Sequence, residues 1–307
     1  MTYINLLKCC RRFPVIRKTL RTGLPQDPVP LSRIIPKANA PHSTSVGPNS
    51  VKTLVVRSYF MSQPKFVGKV ALVTGSTKGV GRAVAEALLK EGAAVMVCSR
   101  HAEDVERTSR ELESAQGFPA PTRVAGRACD LRQQQQVDQL IRSTVDAFGG
   151  LDFLVNNAGI GVFQEVEAMS PETWRNVLAT NLDSMFYTCH YAIPLMKNRG
   201  GGFIINIGSL AGKNAFAGGA AYNASKFGVV GFSEALMQEV RFANIRVAYI
   251  MPGSVDTWFG GKPPEGEGSW KLSPADVAQV VVDILSYPDR CLVSRVEMRP
   301  SKPPRKG

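Results

Sequence analysis

Thr74-Gly75-Ser76-Thr77-Lys78-Gly79-Val80-Gly81 constrains the fold of this chain more than any other stretch. An apolar run, Lys69-Val70-Ala71-Leu72-Val73, precedes it, and a helical pattern over 82–91 follows it. Strand, glycine-rich turn and helix together form the context in which a dinucleotide phosphate is bound. Gly75 permits the tight turn. Gly79 lets the backbone approach a pyrophosphate, and Gly81 lets the new helix pack closely on the strand. The N–H groups at the helix start then point at the phosphates. The spacing is Gly-x-x-x-Gly-x-Gly preceded by Thr, rather than the usual G-x-G-x-x-G.

Beyond this turn, short apolar runs alternate with longer helical patterns. Strands are expected at 70–74, 94–99, 123–128, 153–156, 203–207, 246–250 and 291–297. Helices are expected at 81–91, 102–114, 133–148, 171–198, 220–242 and 274–286. Strongly apolar strands separated by helices imply a parallel sheet covered on both faces. The expected fold is α/β, a Rossmann-type doubly wound sheet of about seven strands. Ser170-Pro171 and Ser273-Pro274-Ala275-Asp276 read as capped helix starts.

The formal charge of +12 is concentrated in residues 1–64, which hold ten Lys or Arg and a single acid, Asp27. Residues 65–307 carry 27 basic against 24 acidic side chains, so a general nucleic-acid surface is not indicated. Residues 1–64 also contain eight of the 20 prolines and no sustained periodicity, the composition of a disordered extension. Two readings of it stay open. Its basic, acid-poor composition resembles an organelle transit peptide, which would make the protein mitochondrial. Met61-Ser62-Gln63-Pro64 could instead mark the true start of a cytoplasmic protein. Domains are therefore expected as an extension over 1–64, a catalytic domain over 65–300 and a short basic tail over 301–307. The six cysteines show no zinc-ligand spacing, and Cys98 and Cys129 read as small buried hydrophobes. No uninterrupted apolar run reaches the length of a membrane span.

Tyr222-Asn223-Ala224-Ser225-Lys226 carries the chemistry. A spacing of four stacks Tyr222 and Lys226 on one helix face. A free phenol titrates at about 10, and an adjacent ammonium is expected to lower that value. Such a tyrosine exchanges a proton with a carbonyl or alcohol. Ser209 follows the strand at 203–207, at the carboxyl edge where open α/β sheets bind ligands. Asn156-Asn157-Ala158-Gly159 ends the preceding strand. Asn181 falls inside a long helical pattern, where Asn is a mediocre helix former.

Taken in order, the turn at 74–81, Asn156 to Gly159, Asn181, Ser209, Tyr222, Lys226 and Pro252-Gly253 resemble the short-chain dehydrogenase/reductase family. The resemblance covers nearly all of residues 65–300. It implies an oxidoreductase that interconverts a ketone or aldehyde and an alcohol. Tyr222 would be its general acid or base. Lys226 would tune Tyr222 and bind the nicotinamide ribose, Ser209 would hydrogen-bond the substrate oxygen, and Asn181 would hold a water of the proton relay. Gly75, Ser76, Thr77, Lys78, Gly79, Val80 and Gly81 would take the pyrophosphate. Asp130 and Leu131 would meet the adenine. Asn157, Ala158 and Gly159 would shape the cleft, and Pro252, Gly253, Val255 and Thr257 would border the nicotinamide. The family also implies a homodimer or homotetramer.

The expected cofactor is NADP(H), with NAD(H) as a second possibility. An acid at the tip of the second strand suits NAD, and arginine suits the extra phosphate of NADP. Here the tip is Ser99-Arg100, and Lys78 or Arg82 could add charge. Residues 255–272, with Trp258, Phe259, Trp270 and a Gly-Gly-Lys-Pro-Pro-Glu-Gly run, read as a lid or as aromatics packed on a neighbouring helix. Ile160, Val162, Phe163 and Phe216 could line the substrate side. The ending at 291–300 lacks the Asp-Gly-Gly common in the family, which argues against a direct equation with acyl-carrier ketoreductases. Two rivals to a carbonyl reductase are a sugar-nucleotide epimerase or dehydratase and a non-catalytic NADP sensor.

Overall fold

The computed structural model describes residues 63–304, apart from Gln116, Ala120, Thr122, Lys262 and Glu267. Residues 1–62 of the basic extension, 305–307 of the tail, and Lys262 and Glu267 of the expected lid lie outside the described residues.

Seven parallel strands run β1 (Val70–Thr74), β2 (Ala94–Ser99), β3 (Val124–Ala128), β4 (Phe153–Asn156), β5 (Gly202–Ile207), β6 (Ile245–Pro252) and β7 (Arg295–Met298). Their order across the sheet is β3-β2-β1-β4-β5-β6-β7. The chain therefore winds outward from β1 through β2 to β3, then returns to the other side of β1 at β4. That reversal opens a crevice at the carboxyl ends of β1 and β4.

Strand side chains alternate between two cores, as the period of a strand demands. Ala71, Val73, Val95, Val97, Phe153 and Val155 face one side, with Val84 and Leu88 of helix α1 (Gly79–Lys90) and Leu112 of α2 (Ala102–Ser114). Val277 and Val281 of α7 (Pro274–Ser286) complete that layer. Leu72, Met96, Leu154 and Ile204 face the other side. There they meet Leu140 and Ile141 of α3 (Gln134–Phe148), and Ala192 and Met196 of α5 (Ser184–Asn198). Leu236 and Val240 of α6 (Ala220–Val240) close this second core. Burial on both sheet faces explains why the strands read as near-continuous apolar runs. Cys98 and Cys129 are buried, and that burial pushes both thiols up to about 12.

Most expected bounds agree within two residues, and two elements differ more. The single helix expected at 171–198 is broken into α4 (Pro171–Leu178), a π-helical turn (Ala179–Asp183) and α5. The turn carries Asn181, whose side chain is bonded to a neighbouring loop rather than to solvent. The last strand spans four residues, Arg295–Met298, because only this stretch keeps register with Tyr249 to Pro252 of β6. Among the described residues, no helix is long and apolar enough to cross a membrane.

Candidate active site

A cavity of about 520 Å³ lies at the carboxyl edge of the sheet, where the strand order reverses. Its floor is built by tying β1 to β4. Thr74 Oγ1 accepts the Asn157 and Ala158 N–H groups at 2.9 and 3.0 Å. Asn157 Nδ2 donates back to the Thr74 carbonyl at 2.9 Å and to the Gly75 carbonyl at 3.2 Å. Gly75 turns with φ 62°, and a side chain there would press on the Ala158 backbone at 3.0 Å. A side chain at Gly81 would strike the Gly75 carbonyl and Asn157 Nδ2. Gly81 thus serves close packing, against the turn and β4 loop rather than the strand itself.

The glycine turn fits an anion. Helix α1 starts at Gly79, φ 56°, after Lys78, and no side chain caps it. Its first turn carries no acid to neutralise the positive end of its dipole. By contrast, Ser170 caps α4, and Ser273 with Asp276 forms a full capping box on α7. A helix start left open on a cavity is the arrangement that accepts phosphate. The turn and cavity therefore suit a dinucleotide on local geometry.

The far end of the cavity holds the proton chemistry. Tyr222 and Lys226 sit on one face of α6, and Lys226 Nζ lies 5.8 Å from the Tyr222 ring centroid. Both are buried, at 8% and 4% exposure. Lys226 Nζ donates to the Ile207 carbonyl at 3.0 Å. Burial depresses the Lys226 ammonium to about 8, still above neutrality, so the group stays charged at pH 7. Tyr222 departs from expectation. Burial raises its phenol above the ordinary value, opposed only by a hydrogen bond from Ser209. The expected lowering by an adjacent ammonium is absent because Lys226 is turned to the Ile207 carbonyl. Ser209 also accepts the Ala211 N–H at 3.1 Å, and Asn223 Nδ2 donates to the Ala211 carbonyl at 2.7 Å. These bonds fix the loop that carries Ser209 against the helix that carries Tyr222.

Most of the expected site residues converge on this cavity. Gly75, Thr77, Lys78, Gly79, Val80, Ser99, Arg100, Asp130, Leu131, Asn157, Ala158 and Gly159 line it, as do Ser209, Tyr222, Lys226, Pro252, Gly253, Val255 and Thr257. Ser76, Gly81 and Asn181 do not reach it. Ser76 is fully buried, its Oγ accepting the Cys98 N–H at 3.0 Å, so it locks the turn to β2. Asn181 is also fully buried. Its Oδ1 accepts the Ile160 N–H at 2.8 Å, and its Nδ2 donates to the Ile160 carbonyl and to Ser225 Oγ. Ser225 Oγ in turn donates to the Tyr222 carbonyl at 2.7 Å. Asn181 therefore joins the loop after β4 to the Tyr222 helix, with both amide hydrogens and one lone pair of Oδ1 engaged by the protein. Arg82 is spent on Glu86 and Glu111 at 2.7 and 2.8 Å, which removes it as a phosphate ligand.

Sequence reading missed Thr180, His101, Asp104 and Arg132, all of which line the cavity. Asp104 was legible as an acid in the first turn of α2, though it pairs with Arg107. Arg132 grips Asp130 through Nε at 2.9 Å and holds that carboxyl below the usual range. Among the expected lid residues, Trp258, Phe259, Gly260 and Gly261 line the cavity, and Trp270 does not.

The family model for short chain dehydrogenases matches residues 69–267. An uncharacterized oxidoreductase of Staphylococcus saprophyticus is 30% identical over 236 residues, covering 76% of this chain and 97% of that protein. Among solved structures, an alcohol dehydrogenase from the archaeon Thermococcus sibiricus, complexed with 5-hydroxy-NADP, superimposes with a TM-score of 0.71. It is 27% identical and covers 78% of this chain and 99% of its own. A metagenomic short-chain oxidoreductase in complex with NADP gives 0.67 at 33% identity, covering 78% and 100%.

Proposed function

Because the chain belongs to the short-chain dehydrogenase family and is an oxidoreductase of that family, we propose that it reduces a ketone or aldehyde to an alcohol with NADP(H). The observation that carries this reading is Tyr222, buried beside a charged Lys226 and bonded to Ser209 in the cavity that α1 opens on.

The dinucleotide would lie on the α1 start and the cleft of Asn157, Ala158 and Gly159, with Lys226 at its nicotinamide ribose. When bound, the nicotinamide supplies or removes the hydride. The protein's own part is the proton. Ser209 orients the substrate oxygen and donates to it as negative charge develops. Tyr222 gives its phenolic proton to that oxygen, or takes one in the reverse direction. The raised pKa keeps the phenol protonated through neutral pH, so the proton is present to be given. The phenolate left behind would be stabilised by the hydrogen bond from Ser209, which opposes the effect of burial on Tyr222. Asn181 and Ser225 hold the Tyr222 helix in place.

Preference for NADP(H) rests on Arg100 and Lys78, both exposed at the cavity edge, and on the missing acid at the tip of β2. The relatives bound to NADP or its derivative support it. A homodimer or homotetramer in the cytoplasm belongs to the same reading; analytical ultracentrifugation and cell fractionation test those two points. The central test follows nicotinamide absorbance with purified protein, NADPH or NADH, and a panel of ketones and aldehydes. Turnover that favours NADPH is expected. Failure to oxidise NADPH with any carbonyl would overturn the reading.

A further inference from the structure

Exposed aromatic rings gather on Tyr222 at one end of the cavity: Phe259 lines it, and Phe163 and Phe216 pack alongside, outside its lining. The Phe163 ring meets the Tyr222 ring edge-on at 5.5 Å, and Phe259 lies 5.6 Å from it. Phe216 stacks behind Phe163 at 5.8 Å. These three side chains are 42–52% exposed, unlike the aromatic residues of the core. They come from separate segments held in mutual register. The Gln164 N–H donates to the Gly218 carbonyl at 2.7 Å, which ties the Phe163 loop to the Phe216 loop. The Phe216 N–H donates to Asn223 Oδ1 at 3.3 Å, on the Tyr222 helix. Gly161 lies between the rings: a side chain there would come within 2.5 Å of Phe259 and 3.0 Å of Phe163.

The charges are elsewhere. Lys78, Arg100, His101, Asp104, Asp130 and Arg132 line the cavity from the turns after β1, β2 and β3, on the opposite side of β1 from β5 and α6. Lys226 is turned to the Ile207 carbonyl, and Lys213, on the Phe216 loop, is paired with Glu297 at 2.9 Å. A substrate carboxylate beside Tyr222 would lose water to the rings and, among the described residues, meet no free guanidinium. A planar apolar ring would instead find edge and face partners at stacking distance.

We propose that Phe163, Phe216 and Phe259 form a slot that selects uncharged aryl ketones and excludes keto acids, a specificity that rests on carbonyl reduction at Tyr222. Phe259 is the movable wall. It precedes Gly260 and Gly261, at φ 77° and 81°, where the backbone can pivot without a side-chain penalty. Val255 and Leu272 bridge the base of this segment, and the Asp256 carboxylate accepts the Glu265 and Gly266 N–H groups. These contacts tie the two ends of the segment to each other.

The test compares kcat/KM, with NADPH and the full chain, for an aryl methyl ketone, a short aliphatic ketone and an aryl keto acid. The aryl ketone is expected to exceed each of the others by about tenfold or more, the size of an aromatic pair plus its buried area. Phe163→Ala and Phe259→Leu should each lower the aryl ketone value about tenfold more than they lower the aliphatic value. Both residues are half exposed, so folding should survive, and a melting curve checks it. Equal values for the aryl and aliphatic ketones, or a preference for the keto acid, would overturn the slot. If no carbonyl is turned over, quenching of bound NADPH fluorescence by the aryl ketone still decides the matter. Saturable quenching lost in Phe163→Ala supports the slot while the reductase reading fails; no quenching overturns both.

Discussion

The two ends of the cavity are built on opposite terms. At the Tyr222 end, the polar groups are already bonded to the protein: Lys226 to the Ile207 carbonyl, Asn181 to Ile160 and Ser225, Asn223 to Ala211. At the glycine-turn end, Lys78 and Arg100 are exposed, and α1 begins without a cap. The contrast extends to helices of one layer, since α7 packs on α1 yet starts with a complete capping box. A proton-transfer group must be oriented before substrate arrives, because reorganising it during reaction adds to the barrier. A phosphate site gains by leaving its donors for the ligand to satisfy. One end is thus finished in advance, and the other is completed by what binds.

Tyr222→Phe strikes the finished end alone. It removes only the phenolic hydroxyl, so turnover should fall about 10²-fold or more while NADPH binding stays within a fewfold. Stopped-flow turnover and fluorescence titration check the two halves. A variant that kept more than about a tenth of its activity would remove Tyr222 as the acid.

Ser209→Ala sharpens the same end through pH. Ser209 is what pulls the Tyr222 phenol down against burial, so its loss should raise the phenol further. Alcohol oxidation needs the phenolate and rises with pH through that pKa; its rise should therefore move to higher pH in the variant. Rate should also drop by about 10²-fold, the cost of one donor to a developing oxyanion. A pH profile of unchanged position would show that Ser209 does not bond Tyr222 in the working enzyme.

The open end is tested by Arg100→Ala. Loss of a charge-assisted phosphate contact is worth about 1.5–3 kcal/mol, roughly ten- to a hundredfold in the NADPH dissociation constant. NADH should bind almost as before. Equal weakening of both cofactors would mean that Arg100 acts by general charge and not at the extra phosphate.

Most of this contrast was legible in the chain, and where it was not the reasons are physical. The bounds of β1, β2 and β4 follow directly from their apolar runs, and those of α2 and α7 from their helical patterns. Asn181 was read as a site residue but its burial escaped, because a helical period over 171–198 cannot reveal the wider π turn that carries it inward. Ser76 and Gly81 were read with the turn that they belong to, yet each serves packing beneath it. The spacing of Tyr222 and Lys226 showed that they are neighbours. It could not show that the Ile207 carbonyl would draw the ammonium away, because that contact spans 19 residues. Thr180, His101 and Arg132 carry no local signal; only the topology delivers them to the cavity.

The smallest effect expected at the finished end is on stability, and its sign is fixed by Lys226. Burial lowers its ammonium to about 8 in the folded protein, against 10.5 as its ordinary value. Between those values the unfolded chain holds a proton that the folded chain has released. Stability contributed by this group therefore rises with pH across that window and is flat below about 8. Lys226→Met removes the titration, so its denaturation midpoint should lose this upward component. The comparison is made on cofactor-free protein, at pH values within the window. Subtracting the variant's pH dependence from that of the parent removes the contribution of Tyr222, whose raised pKa acts in the opposite direction at still higher pH. Identical pH dependence in the two proteins would mean that water reaches the ammonium, and the Tyr222 end would then be as open as the glycine turn.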